Sequence, residues 1–147
     1  MYKRWLLIGV LLIALPVCAA EQAGIVKVAK GVVTIERGGQ KLAAVAGTPV
    51  FAGDSITTGT ESSVGIALRD DTLLSAGPKS VLALDSFAFD TTTHAGSING
   101  SLKRGTLAVV SGKIAKQSSN TVQFRTPATI IGVRGTEFII EAQNKED

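Results

Sequence analysis

The sequence has 147 residues, the usual size of one domain. Lys3 and Arg4 are two of its 15 basic residues, and without the first twenty positions 13 basic residues face 12 acidic ones. This near-neutral balance argues against nucleic-acid binding, which needs a clustered basic surface. Cys18 is the only cysteine and His94 the only histidine, so residues 21–147 cannot form a disulfide or a thiolate site.

The first twenty residues have the layout of a secretory signal peptide. Lys3 and Arg4 form a positive segment, residues 6–15 form an uncharged apolar run, and small residues at 18–20 suit a peptidase. We expect cleavage before Glu21 and a periplasmic protein without a membrane span, because the apolar run is shorter than the roughly 20 residues of a spanning helix. The alternative is a lipoprotein acylated at Cys18, for which Val17 is a poor preceding residue.

The remaining chain reads as a series of short strands. Apolar and polar residues alternate over four or five positions, and Gly, Asp or Asn residues end each run, while no twelve-residue window has a sustained helical period. The predicted strands, in chain order, are 25–29, 32–36, 49–51, 64–68, 72–75, 80–84, 102–110, 113–115, 121–125, 128–131 and 136–140.

Turns and loops are predicted between these strands. Residues 37–40, Arg-Gly-Gly-Gln, are typical of a hairpin, and Gly53-Asp54 and Arg69-Asp70-Asp71 are typical of tight turns. Residues 91–101 are polar and predict a loop between two halves of one domain. Residues 141–147 predict a frayed polar tail after a β domain over 21–140. The expected fold is all-β, a single compact domain built as a sandwich or a short β-coil.

Several motifs in succession resemble the FecR domain, a periplasmic β module. The matching segments are 31–33, 47–59, 62–72, 77–80, 105–107 and 125–138, and the last segment, with Gly132, Arg134, Gly135, Thr136 and Phe138, is the most specific. The resemblance covers about residues 24–140 and implies a periplasmic β domain. Regulators of this family also have a cytoplasmic domain and a membrane helix. This sequence shows neither, so anti-sigma activity is not carried over.

Two of these motif residues are candidate ligand-binding residues. Asp54, after Gly53, either accepts backbone N–H groups in a turn, which we favour, or offers its carboxylate to a ligand. Arg134 lies between glycines, and its guanidinium either clamps a ligand carboxylate or phosphate or pairs internally with Asp54 or Glu137. We favour the internal pair.

The other polar residues suggest no catalytic or metal site. Asp70 and Asp71 are adjacent, whereas a calcium loop needs a longer alternating run of oxygen ligands. His94 lies in a Thr/Gly/Ser loop and is expected to be solvated. Residues 21–147 contain no Trp or Tyr to stack on a sugar. We therefore expect no cofactor and a non-enzymatic sensing or adaptor module of the cell envelope that contacts a partner protein. The alternative is a structural envelope protein that associates with cell-wall glycan or with itself.

Overall fold

The computed structural model describes residues 22–117, 121–132 and 137–142. It contains twelve strands and one short helix in the following order: β1 (Gln22–Lys30), β2 (Val33–Arg37), β3 (Gln40–Ala43), β4 (Pro49–Phe51), β5 (Ser55–Thr58), β6 (Ser63–Leu68), β7 (Leu73–Ala76), β8 (Val81–Phe89), β9 (Gly96–Val110), α1 (Lys113–Gln117), β10 (Val122–Arg125), β11 (Ile130–Gly132) and β12 (Glu137–Ala142).

The fifteen-residue strand β9 joins two halves of one curled sheet. Its C-terminal part pairs with β7 on one edge and β12 on the other, and the first half-sheet runs β4-β1-β6-β7-β9-β12. Its N-terminal part pairs with β8 and β10, and the second half-sheet runs β3-β2-β5-β8-β9-β10-β11. The β9–β10 pair is parallel, and the other described pairs are antiparallel. Antiparallel pairing of this kind favours the sandwich-like alternative over a coil of stacked turns.

The alternation of buried and exposed residues along strand β9 shifts where the strand passes from one half-sheet to the other. Ile98 and Leu102 are buried at even positions, whereas Leu107 and Val109 are buried at odd positions. The shift of one residue occurs next to Gly105, whose φ is +90°, and the β8–β9 register shifts at the same place. The shift keeps the apolar side chains of both parts on the core side.

Side-chain hydroxyls bind backbone groups at the ends of several other strands near this corner. Thr58 Oγ1 donates to the Gly77 carbonyl at 2.6 Å and accepts from the Ser80 amide at 2.9 Å, and Ser80 Oγ accepts from the Thr106 amide at 3.1 Å. The buried Ser62 hydroxyl accepts from the Val32 amide at 2.9 Å. These hydroxyls satisfy backbone groups that leave the ladders where the strands cross the corner.

The core lies between the two half-sheets. Phe124 is its largest fully buried side chain, and aliphatic residues from both half-sheets belong to the same cluster, among them Ile35, Ile56, Ile66, Leu82 and Leu107. The prediction of an all-β single domain is therefore confirmed.

The structure corrects three local predictions. Residues 113–115 form the start of helix α1 rather than a strand. Residues 96–101 belong to β9, so the predicted loop at 91–101 is a short hairpin tip at 91–95. Glu141 and Ala142 belong to β12, so the strand continues two residues into the predicted tail. Residues 1–20 and 143–147, predicted as signal peptide and tail end, lie outside the described residues.

Candidate functional site

Asp54 lies in the turn that the sequence predicts, and its carboxylate binds groups of its own chain. The side chain is 1% exposed, and Oδ2 accepts the Phe51 amide at 2.9 Å. Arg37 donates from Nε to Oδ1 at 2.8 Å and from Nη2 to Oδ2 at 2.7 Å. The hydrogen bond to Asp54 raises the pKa of Arg37 above its ordinary value.

Arg37 is the partner of Asp54 that the sequence analysis missed. It ends β2, just before the Gly-Gly hairpin turn, and its guanidinium carbon lies 4.5 Å from the centre of the Phe51 ring. The hairpin brings Arg37 to a residue seventeen positions later, and no local motif signals this pairing. Asp54 is a possible partner of Arg134 by sequence, and the structure places Arg37 against that carboxylate.

The closing motif is described only in part. Gly132 ends β11 and is exposed, while Arg134, Gly135 and Thr136 lie outside the described residues. Both interpretations of Arg134, ligand clamp and internal pair, therefore stay predictions. Phe138 faces the core on β12 but is only partly buried, with its ring centre 6.4 Å from that of Phe124.

The turn at Asp70 anchors helix α1. Asp70 is fully buried, and its Oδ2 accepts the Thr72 hydroxyl at 2.7 Å and the Ile114 amide at 3.3 Å. Its backbone carbonyl accepts the Lys113 amide at 2.7 Å. A carboxylate from the β6–β7 turn thus caps the amino end of a helix more than forty residues later. A cap so distant in sequence leaves no local signal, which explains why α1 was missed.

The hairpin tip between β8 and β9 holds the only histidine. Asp90 Oδ1 accepts the amides of Thr92 at 2.8 Å and Thr93 at 3.1 Å, and these bonds lower the Asp90 pKa below its ordinary value. The His94 ring stacks on Phe89 with 6.1 Å between the ring centres. His94 is therefore partly buried, whereas the sequence analysis expected a solvated side chain.

A cleft of about 440 Å³ opens at the corner between the half-sheets. Lys79 and Arg104 line it together with Thr58 and Thr60. The Thr58 hydroxyl is held by Gly77 and Ser80, so the two cations are the groups that suit a small anionic ligand. Among the described residues, no three His, Cys, Asp or Glu side chains lie together in a way that could hold a metal ion.

The outermost strand of the second half-sheet, β3, has a free edge within the described part of the chain. All four of its residues are exposed, and β2 is its partner. The Ala44 amide donates to the Val33 carbonyl at 2.9 Å, toward β2. Because successive amides of a strand alternate in direction, the Lys41 and Ala43 amides point to the open edge. Leu42 and Val45 are exposed beside it, so the edge offers both hydrogen bonds and apolar contacts.

Comparison with protein-family models gives one match, the family described as FecR protein, over residues 54–147. No curated protein and no solved structure matches the chain. The matched range covers β5 to β12 and includes the β9 corner, the Asp70 cap and the closing motif. Within the described residues, no helix is long and apolar enough to cross a membrane.

Proposed function

Because this chain belongs to the FecR protein family, we propose that it is a periplasmic binding module that takes part in cell-envelope signalling by docking a partner protein. FecR domains are associated with sensing and signalling in the cell envelope, and the family is typically non-catalytic. The signal-like first twenty residues support the periplasmic location.

The buried carboxylates support a binding role over a catalytic one. The carboxylate of Asp54 accepts hydrogen bonds from Arg37 and the Phe51 amide. The carboxylate of Asp70 accepts hydrogen bonds from Thr72 and from the Ile114 amide of helix α1. A general base or nucleophile needs a carboxylate that can reach a substrate proton or atom. Both aspartates instead hold loops in place.

The open edge of β3 is the observation that carries the docking proposal. An extended peptide can add to such an edge by main-chain hydrogen bonds, while its alternate side chains contact neighbouring apolar residues. The Lys41 and Ala43 amides supply the donors, and Leu42 and Val45 supply the apolar contacts. We therefore propose that the partner contributes a β-strand.

A proline at Ala43 tests this mode of binding. Ala43→Pro removes an outward amide and leaves the described β2–β3 hydrogen bonds intact, and proline is tolerated at this kind of edge position. The matched control is Ala43→Val, which keeps the amide. A photo-reactive residue at Lys41 is used in cells to cross-link the partner, which is identified by mass spectrometry.

We expect one dominant cross-linked partner with the otherwise native chain and with Ala43→Val, and its loss with Ala43→Pro. Circular dichroism should confirm that all three proteins are folded. Equal cross-linking in Ala43→Pro and Ala43→Val would contradict strand addition. Co-sedimentation of the native chain with purified cell wall, without any protein cross-link, would favour the structural alternative.

A further inference from the structure

The outward face of the first half-sheet is apolar, unlike that of the second. Its residues come from five adjacent strands and are named here the apolar face: Ile25, Val28, Gly65, Ala67, Leu73, Ser75, Ala108, Val110 and Ile139. None of them is buried, and Val28, Leu73 and Ile139 are 49%, 45% and 74% exposed.

The second half-sheet provides an internal comparison. Its outward positions follow the ordinary alternation of a sheet with one face in water. They carry mostly polar residues, such as Thr34, Glu36, Ser55, Thr57 and Ser101. The first half-sheet departs from this rule, because the outward positions of its central strands β6, β7 and β9 carry mostly small or apolar residues and its charged outward residues lie on the flanking strands β1 and β12. Apolar outward positions are typical of strands that are covered on both sides. The described part of the chain leaves this face open.

Strand pairing places the residues of the apolar face in two rows. One row joins Val28, Gly65, Ser75, Ala108 and Ile139 across the five strands β1, β6, β7, β9 and β12. The neighbouring row begins with Ile25, Ala67, Leu73 and Val110 and ends in Glu137. Strand β7 lies at the centre of both rows.

Opposite charges lie at the two sides of this face. On β1, Lys27 reaches a groove floored by Gly65, Leu73 and Ser75, and Lys30 pairs in register with Ser63. On β12, Glu137 and Glu141 alternate with the inward Ile140, so they point outward with Ile139. A third row begins with Lys30 and ends with Glu141. Lys30 pairs with Ser63 on β6, the Gly77 amide after β7 donates to the Thr106 carbonyl on β9, and Thr106 pairs with Glu141 on β12.

We propose that the apolar face is the interface of a symmetric dimer of this chain. A two-fold axis that lies above β7 and runs roughly parallel to the strands places β1 of one copy over β12 of the other. Lys30 then faces Glu141 of the second copy, and Glu137 meets Ile25 and the neighbouring Lys27 of the β1 bulge. Val28 meets Ile139, and Leu73 meets its own equivalent. Such self-complementarity is what an isologous interface requires, and two sheets can pack face to face about 10 Å apart.

The size of the face predicts a weak dimer. Five strands spaced about 4.8 Å apart, with residues of one face about 7 Å apart along each strand, give on the order of 400 Å² per copy. The total of about 800 Å² is smaller than a standard specific interface, so we expect a weak, transient dimer. The dimer uses a different half-sheet from the β3 edge, so this inference does not rest on the proposed function.

Charge reversal and recombination test the predicted contact. Sedimentation of the purified protein across the micromolar range should show dimers, and Lys30→Glu or Glu141→Lys should each raise the dissociation constant at least tenfold. An equimolar mixture of the two variants should dimerise again. In the mixed dimer the introduced glutamate of one variant meets the introduced lysine of the other, and the native Lys30 and Glu141 meet at the second, symmetry-related contact. Two variants that stay monomeric when mixed would overturn the proposed pairing.

Apolar and cross-linking variants test the same geometry without charge pairs. Ile139→Lys should abolish the dimer, whereas Ile130→Lys, at an exposed position of β11, should leave it unchanged. Ser75→Cys lies beside the axis and should be joined to its copy by a short bismaleimide, while Ile130→Cys should not. A native protein that stays monomeric at several hundred micromolar would overturn the proposal, as would equal cross-linking of the two cysteine variants.

Discussion

At the scale of single residues, the Arg37–Asp54 pair holds the β2–β3 hairpin to the loop after β4. Asp54 is 1% exposed and Arg37 is 36% exposed, so water reaches one side of the ion pair. The pair is bidentate, and Arg37 also donates to the Pro49 carbonyl at 3.1 Å.

We expect Arg37→Ala to lower the free energy of unfolding by about 1–3 kcal/mol, because it leaves a buried carboxylate with only the Phe51 amide. Arg37→Lys should recover part of the loss, since an ammonium cannot form the two parallel bonds of a guanidinium. Urea unfolding monitored by circular dichroism measures all three proteins. An unchanged midpoint in Arg37→Ala would show that the pair adds nothing to stability.

The Asp90 turn predicts a pH effect with a definite sign. Hydrogen bonds from the Thr93 and Thr92 amides lower the Asp90 pKa below its ordinary value. The ionised form therefore holds the turn at every pH above the ordinary carboxyl range, and the turn loosens only as the pH falls through the lowered pKa.

The Thr92 and Thr93 amide resonances should report this titration between about pH 6 and pH 2. We expect a midpoint below the ordinary aspartate pKa in the native protein and no such titration in Asp90→Asn. A midpoint above the ordinary aspartate pKa would contradict the two amide bonds.

At the scale of elements, the corner of β9 depends on Gly105. A Cβ there would lie 2.5 Å from Ser80 Cα, 2.6 Å from Ser80 Cβ and closer still to Ser80 Oγ, and the φ of +90° disfavours any L side chain. The same corner contains the Thr58 and Ser80 hydroxyl network, so a displacement of Ser80 also breaks hydrogen bonds.

We expect Gly105→Ala to cost about 2–5 kcal/mol, the sum of a left-handed conformation and overpacking. Gly39→Ala is the matched control, because Gly39 has φ +80° and open space around its Cα, so only about 1–2 kcal/mol should be lost. Thermal unfolding compares the two variants. Equal losses would mean that the backbone alone, without the contact to Ser80, sets the cost.

Helix α1 depends on the carboxylate of Asp70. We expect Asp70→Ala to cost about 1–3 kcal/mol and to remove the hydrogen-exchange protection of the Ile114 amide, because both the cap and the Thr72 bond disappear. The control is Asp71→Asn, which breaks only the exposed pair with Lys113 at 3.2 Å and should cost less than about 1 kcal/mol. Retained protection of Ile114 in Asp70→Ala would argue against the cap.

At the scale of the whole molecule, residue alternation was sufficient to predict an all-β domain. The hairpin at 37–40 and the turns at Asp54 and Asp70 were also predictable, because glycine and aspartate mark them locally. The ion pair of Arg37 and the position of helix α1 were not predictable, because they depend on contacts between residues that are distant in sequence. Arg37 reaches Asp54, and Asp70 caps α1, through pairings of strands that lie far apart in sequence.

The closing motif carried the family resemblance, and the family match now includes it. The structure describes one of the two candidate ligand residues. Asp54 is placed by the structure in an internal ion pair, whereas Arg134 lies outside the described residues. The two binding surfaces proposed here emerged only from strand order, since a free edge and an unusually apolar outer face are properties of a sheet rather than of a motif.

A further prediction concerns removal of the first twenty residues during export. If residues 1–20 are a signal peptide, the exported protein begins at Glu21, and its intact mass should equal that of residues 21–147. The measurement is mass spectrometry of the periplasmic fraction. A mass that corresponds to a lipid-modified chain starting at Cys18 would instead identify a lipoprotein.

The continuity of β9 with β7 and β8 has a consequence for the order of folding. Strands β7 and β8 follow each other along one edge of β9, and the short tip at residues 91–95 joins β8 to β9. Closing such a short loop loses little chain entropy, so this long hairpin should be the nucleus on which the other strands assemble. Strand β1 pairs with β4 and β6, which lie outside this hairpin, so its apolar residues stay unpaired until the nucleus has formed. A substitution that slows formation of the nucleus would prolong that interval and raise the risk of aggregation.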